Sequence, residues 1–422
     1  MINFLSKIIE FSTIILREFW WLIIPLALFV YIKKFFKEYK KLTAKSDEDP
    51  RVFLEITFSQ DSFKQPVTSM KNFFENLKNI KIKDGKTIIF EIICFKNQLR
   101  YFCITPKSLK DLVEVGIYSQ YPDIRIAEVT DVLSTLAPNI PNVSFDVWGE
   151  EYKLKKEDIY KIKTIEKDIV SDDDSKIIDP ISILAETADR ADYQGVMIAQ
   201  LVVRPLSDPE KAKYKESSGM VTGKLLGKAP EPKKTASQHF AEIGTGILKD
   251  MLKAFTEGEE KKEEKKEEKK EPSADDKKMA DLLKQKNDFG TFACNFRVAY
   301  VAPKEGFQKF VPNALLMFVK QFATTSQNSF DAIADKGIEQ KVEGALNKWL
   351  AQFSKAKVEQ QMKNDFYQRV IKRTNEKKIF VLNSEEIAAI YHFPFQRVSV
   401  QSVVYIKSKE TAPPPNLPII ME

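Results

Sequence analysis

"KTIIFEIICFKNQLRYFCIT", Lys86 to Thr105, holds two apolar runs broken only at Lys96-Asn97. Each run is rich in isoleucine, phenylalanine or tyrosine, and a break this short leaves room only for a tight turn, so the stretch reads as two strands of a β-hairpin. Upstream, "RVFLEITF" places Val52, Leu54, Ile56 and Phe58 on one face of a further half-buried strand. "PVTSMKNFFENLKN" then spaces Val67, Met70, Phe73, Phe74 and Leu77 at helical intervals behind Pro66. Downstream, "TPKSLKDLVEVGIYSQYP" opens a helix at Thr105-Pro106, with Leu109, Leu112, Val113, Val115 and Ile117 on its apolar side, and "DIRIAEVTD" is a strand again. The order β-α-β-β-α-β over residues 51–131 predicts a split-βαβ, ferredoxin-like unit.

Beyond this unit the pattern predicts a connecting region over 132–194. In it "NVSFDVWGEEYKL" reads as a strand pair, "SDDDSK" as a solvated acidic loop without calcium-loop spacing, and "DPISILAETADR" as a short helix after Asp179. A second α+β unit, also expected to be ferredoxin-like, runs over 195–410. It opens with the buried strand in "GVMIAQLVVRP" and continues with "TFACNFRVAYV" after Gly290. Between these strands, about 206–289, lies a charged insertion centred on "EEKKEEKKEEKKE", Glu259 to Glu271. Its four-residue period sets Glu259 against Glu263 and Lys261 against Lys265; such like-charge pairs oppose a helix, so a solvated tether is expected. Then follow a helix in "GFQKFVPNALLMFVKQF" with Phe307, Phe310, Leu315 and Phe318 as its stripe, and a helical stretch over about 337–373. "KKIFVLNSEEIAAIYHFPF" gives a strand, an Asn383/Ser384 cap and a helix ending before Pro394. "RVSVQSVVYIKS" is extended, and a strap, "TAPPPNLPIIME", fills 411–422. The fold class is α+β, two ferredoxin-like units behind an N-terminal membrane helix.

That helix is read from "FSTIILREFWWLIIPLALFVYIKKFFKEYKK". The uncharged part, Phe19 to Ile32, is short of the roughly 20 residues a bilayer span needs; extension back to Phe11 supplies the length and brings in Arg17 and Glu18 near one end. Trp20, Trp21 and Tyr31 are residues that settle at membrane interfaces, and Lys33 and Lys34 begin a basic flank. A cleaved signal would need a basic start and a small-residue cleavage site, and a buried core helix would not carry that lysine flank. A single membrane anchor within 1–42 is expected, with the N-terminus outside and the bulk in the cytoplasm by the positive-inside rule. The chain has 422 residues, 43% of them hydrophobic, including 30 phenylalanines, which suffices for real cores. Its net charge of +6 is too mild to point to nucleic acid; of three cysteines, Cys94 and Cys103 sit within apolar alternating runs that suit buried thiols, and the absence of a disulfide framework fits a reducing compartment.

The chemistry-bearing residues are few. His239 and His392 belong to no zinc-type spacing, and "GMVTGKLLGKAP" fails as a phosphate loop: Ser218 and Thr222 stand where the first glycine should be, Leu225 and Ala229 where the hydroxyl should be. No catalytic, metal or cofactor residue is assigned, and the chain is expected to be non-enzymatic. His392, in "YHFP", is expected to close a helix at a domain edge.

Several fragments together resemble a known family. "VFLEITFSQDSFKQPVTSMKNFF" and "TPKSLKDLVEVGIYSQYPDIRIAEVTD", followed in order by "IDPISIL", "AQLVVRP", "LNSEEIAAIYHFP" and "APPPNLP", are similar to the membrane-anchored, non-motor region of conjugation-type (type IV secretion) ATPases of candidate-phyla bacteria. In that family the strap leads into a P-loop motor, whose residues this chain lacks. The resemblance therefore implies a bacterial inner-membrane scaffold that positions a P-loop ATPase, with His392, Pro394, Pro413, Pro414, Pro415, Asn416 and Pro418 as the docking candidates. A homo-oligomer is compatible with it. The alternative is a membrane-tethered nucleic-acid-binding module, since open sheets of this kind can bind single strands.

Overall fold

The computed structural model describes residues 49–58, 66–80, 86–165, 179–227, 273–324, 327–333, 345–374 and 379–395, with side chains from 359 onward in the helix that begins at 345. Residues 51–422 group as one compact unit, apart from 1–50. The expected anchor, with Trp20, Trp21, Tyr31, Lys33 and Lys34, lies outside the described residues, as do the centre of the insertion, the extended segment after Phe395 and the strap with Pro413, Pro414, Pro415, Asn416 and Pro418. Among the described residues, no helix is long and apolar enough to cross a membrane.

The elements follow in chain order. The first set is β1 (Arg51–Phe58), α1 (Pro66–Leu77), β2 (Ile88–Phe95), β3 (Gln98–Pro106), α2 (Lys110–Gln120) and β4 (Ile124–Val129). The second is β5 (Phe145–Leu154), α3 (Ile181–Arg190), β6 (Val196–Pro205), α4 (Asp208–Leu225), α5 (Ala274–Asp288), β7 (Thr291–Pro303), α6 (Phe310–Lys320) and β8 (Phe330–Ala332). Then come α7 (Ala345–Lys372), β9 (Phe380–Asn383) and α8 (Ser384–Ile390). The fold is α+β, built on one nine-stranded sheet in the order β4-β1-β3-β2-β6-β7-β5-β8, with β9 paired to β7. Every pairing is antiparallel.

The sheet repeats itself. β1-α1-β2-β3-α2-β4 and β5-α3-β6-β7-α6-β8 have the same succession of elements, and their strand orders mirror each other about the β2–β6 junction. Registers agree: Glu91 faces Gln200 across the junction, Phe102 faces Glu91 as Arg297 faces Gln200, and Glu55 faces Phe102 as Glu151 faces Arg297. A local two-fold axis thus passes through the Glu91–Gln200 pair.

This changes the expected division. The supposed connector 132–194 supplies β5 and α3, the first strand and first helix of the second half; β6, expected to open that half, is its second strand. "FDVWGEEYKL" is one strand, not two. The described ends of the insertion are helical: α4 and α5 each begin with a full capping box, Ser207/Glu210 and Ser273/Asp276, and pack together over Leu206, Tyr214 and Leu283. These ends lie outside the four-residue charge repeat, and each carries its own cap and buried side chains. Phe310, expected in the apolar stripe of α6, is instead 41% exposed; Val311, Leu315, Phe318 and Val319 face the core.

One sheet face is covered by α1, α2, α3, α6 and α8 over the main core. Phe74, Phe90 and Tyr391 stack edge to face or tilted at 5.0 Å centroid spacings, and Phe393 sits 4.8 Å from Tyr121 and 5.1 Å from Phe58. Such pairs contribute about 0.5–1.5 kcal/mol each beyond area burial. The chain's last described residues are therefore wedged into the first half. The opposite face is covered by α7 and by residues 132–140, over Ile89, Phe102, Val147, Ile198 and Val301.

Candidate functional site

A charged residue inside an otherwise apolar strand needs a partner, because an unpaired buried charge costs several kcal/mol. Four polar side chains form a transverse row under α7: Glu91 on β2, Gln200 on β6, Arg297 on β7 and Glu151 on β5, all buried. Their partners come from the C-terminal turn of α7. Arg373 Nε and Nη2 donate to the Glu91 carboxylate at 2.7 and 3.0 Å, and Nη1 and Nη2 donate to Asp131 at 2.8 Å each. Gln200 Nε2 donates to Glu91 Oε1 at 2.6 Å and to the carbonyl of Val370 at 3.1 Å. Arg297 donates to the carbonyls of Arg369 and Thr374 at 2.8 and 2.6 Å, and Arg369 Nε lies 3.3 Å from Glu151. Asn295 Nδ2 completes Glu151 at 2.7 Å.

Backbone geometry explains why Arg373 is placed so. The amide of Thr374 donates to the carbonyl of Arg369 and that of Arg373 to Val370, which is the Schellman ending of a helix. The residue at its turning point takes left-handed backbone angles and is usually glycine; here it is Arg373, with φ 53°. The conformation costs about 1 kcal/mol or more for a side-chain-bearing residue. In return it aims the guanidinium down into the sheet, where its centre also lies 4.9 Å from the Phe53 ring. Burial works against the charged form of Arg373, but Glu91 and Asp131 outweigh it and raise its pKa above the ordinary arginine value. Arg297 goes the other way: burial, opposed by Glu151 and aided by Arg369, lowers it to about 10, still charged at neutral pH. Approach of α7 to β5 depends on Gly149, where a Cβ would collide with the Phe366 ring and stand 2.6 Å from the carbonyl of Val298.

A second set of ties fixes β9 and α8. Lys286 of α5 and Glu386 of α8, both fully buried, meet at 3.1 Å. Lys286 Nζ also donates to the carbonyls of Tyr160 and Val381 at 3.1 Å each, and Glu386 accepts from the amides of Ile162 and Asn383 at 2.7 and 2.8 Å. Asn383 caps α8 as expected, and its side chain accepts from Glu386 N at 2.9 Å. On α1, Glu75 accepts from Gly290 N at 2.6 Å, from Lys78 and from the Ser384 hydroxyl.

His392 is where the expected and observed sites meet. Its side chain is fully buried, with Nδ1 2.9 Å from the carbonyl of Ala388 and Nε2 3.0 Å from Asp179 Oδ1. Asp179 also accepts from the amides of Ile181 and Phe395, so one carboxylate ties the start of α3 to the end of the described chain. His392 and Pro394 are therefore interior residues, and neither presents a side chain for docking. Cys94 and Cys103 are free and buried as expected, and Cys294 is free and buried too; burial pushes all three thiols up. Gly219 to Leu225, weighed above against a phosphate loop, is the end of α4. Among the described residues no cluster of three or more histidine, cysteine or acidic side chains suits a metal ion.

A family model described as a domain of unknown function, DUF8128, matches residues 39–404. The chain belongs to that family. Its matched region takes in both halves of the sheet, the row under α7 and the ties around α8. No curated protein matches the chain. The sequence signal that could have found the row was available: Glu91 is the one polar residue of β2, and Gln200 in β6 and Asn295 and Arg297 in β7 interrupt the apolar middle of their strands.

Proposed function

We propose that this DUF8128 protein is a non-catalytic, membrane-tethered scaffold that positions a conjugation-type P-loop ATPase, and that its two sheet halves are a fused pair of ferredoxin-like units. The segment over 11–32 would provide the anchor in the bacterial inner membrane, and the strap from Pro413 to Pro418 would meet the ATPase. The observation that carries this reading is the footing of the C-terminal chain. Two buried ties, Lys286–Glu386 and His392–Asp179, and a part-buried one, Glu75–Gly290/Ser384, hold β9, α8 and the residues just after it against elements from both halves. Whatever follows Phe395 thus departs from a rigid mount, as a positioning device requires. The partner's identity rests on the sequence resemblance alone.

The nucleic-acid alternative has less support. The sheet face such a module would use lies under α7 and carries Glu91 and Glu151 with Glu55 along the same row, a poor lining for phosphates. The deciding experiment is a pull-down from native membranes in mild detergent, with the tag inside Glu259–Glu271. Recovery of a P-loop ATPase, lost on deletion of Ala412–Glu422 with thermal unfolding unchanged, supports the scaffold. Recovery of the chain alone, or with nucleic acid only, overturns it.

A further inference from the structure

α2 and α6 occupy equivalent places in the two halves, and each shows solvent some large apolar side chains. On α2 these are Leu112 (47% exposed), Val115 (67%) and Tyr118 (40%); on α6 they are Phe310 (41%) and Met317 (59%). The charges beside them differ. α2 carries Asp111 and Glu114, and its Lys110 is already paired with Glu128 at 2.6 Å. α6 has no acidic residue at all. Lys309, Phe310, Asn313, Met317 and Lys320 recur at helical spacing along its outward face, and all five are exposed. Lys304 is exposed just ahead of the helix, and Lys163, also exposed, joins its C-terminal end through the Phe322 carbonyl. None of these four lysines has an ion-pair partner among the described residues. Tyr193, 60% exposed, borders the start of α6, where Asp192 N donates to the Gln308 side chain. The nearby acids are Glu305, Asp189, Asp192, which accepts from Gln194 N, and Glu186, which is paired with Arg190. Two exposed apolar side chains on one helix face, rimmed by lysines without an ion-pair partner among the described residues and with Tyr193 at the edge, are the composition of a helix that lies in a bilayer interface.

We propose that the outward face of α6 rests on an anionic lipid surface, with Phe310 and Met317 entering the headgroup region and Lys304, Lys309 and Lys320 meeting lipid phosphates. This contact is separate from the N-terminal anchor and does not depend on it. α2, with its own acids, makes no such contact. Each lysine near anionic headgroups contributes roughly a factor of five to binding, so losing three weakens the contact on the order of 100-fold.

The buried native thiols allow a selective test. In the full-length chain, Met317→Cys is labelled with an environment-sensitive fluorophore, and Leu112→Cys in a second sample serves as the control. Each is mixed with preformed vesicles of phosphatidylcholine, with or without phosphatidylglycerol. The expected result is a blue shift at 317 with the anionic vesicles only, none at 112, and loss of the shift in high salt or in Lys304→Gln/Lys309→Gln/Lys320→Gln. No shift at 317, an equal shift with pure phosphatidylcholine, a shift that survives the triple substitution, or an equal shift at 112 each overturns the proposal. So does a shift at 317 that grows with protein concentration without lipid, which would assign the face to a second copy of the chain. If the anchor inserts, it brings both labels to both kinds of vesicle alike, so its success or failure is read separately from that of α6.

Discussion

Replacing Arg373 with glycine sets two effects of opposite sign against each other. Glycine suits the left-handed angles at the end of α7, and the exchange relieves about 1 kcal/mol of backbone cost. Against this, four charge-assisted hydrogen bonds to Glu91 and Asp131 disappear. Glu91 is wholly buried and would keep only the Gln200 amide among its side-chain partners, and breaking one side of such a pair costs about 3–5 kcal/mol. Asp131 is partly exposed, so its loss adds little. The expected net is a destabilisation of about 2–4 kcal/mol. It is read as a lower urea midpoint at unchanged slope, with faster amide exchange in the last turns of α7. Adding Glu91→Gln removes the stranded charge and should recover a large part of the loss. If Arg373→Gly matched or exceeded the parent in stability, the arginine would not be holding α7 and the row would be incidental.

Three further outcomes follow from the packing. Gly149→Ala forces a methyl group into Phe366 and the Val298 carbonyl, and should cost about 1–3 kcal/mol with loosened α7; an unchanged midpoint would contradict the close approach. Lys286→Met strands Glu386 and should destabilise by about 3 kcal/mol or more, whereas Lys286→Met/Glu386→Gln should cost much less, a coupling that a double-mutant cycle in urea measures. Glu75 is held below the usual 4.5: burial opposes this, but Lys78, the Ser384 hydroxyl and the Gly290 amide outweigh it. Its contribution is therefore full above that ordinary value and is lost as pH falls through its lower folded value. Glu75→Gln should flatten the acid limb of the stability curve, and an acid limb identical to that of the parent would refute the tie.

How much of this is legible in the sequence depends on the range of the interaction. β1 to β4 follow from local pattern, and Lys96 and Asn97, both with positive φ, form the tight turn expected between β2 and β3. The Asn383 cap is equally local. β5 is less readable because its burial does not alternate: Gly149 is there to admit Phe366, and Glu151 turns inward to meet Arg297 and Arg369. These residues serve α7, which lies about two hundred residues further along the chain. Periodicity reports which face of a strand is apolar and says nothing of which strand lies beside it, so the joining of the two halves through β2 and β6 was invisible. The partner of His392 is unreadable for the same reason, since Asp179 is remote in sequence.

The axis through Glu91 and Gln200 has a consequence for what the sheet can recognise. In a pair of identical chains, a residue on the axis faces its own copy, and two glutamates there would repel. A single chain is free of that constraint and can set a carboxylate opposite an amide. The centre of a nearly symmetric surface thereby acquires a direction, and one helix, crossing it once, can tell the two halves apart. α7, which covers this face, therefore has one possible orientation across it instead of two.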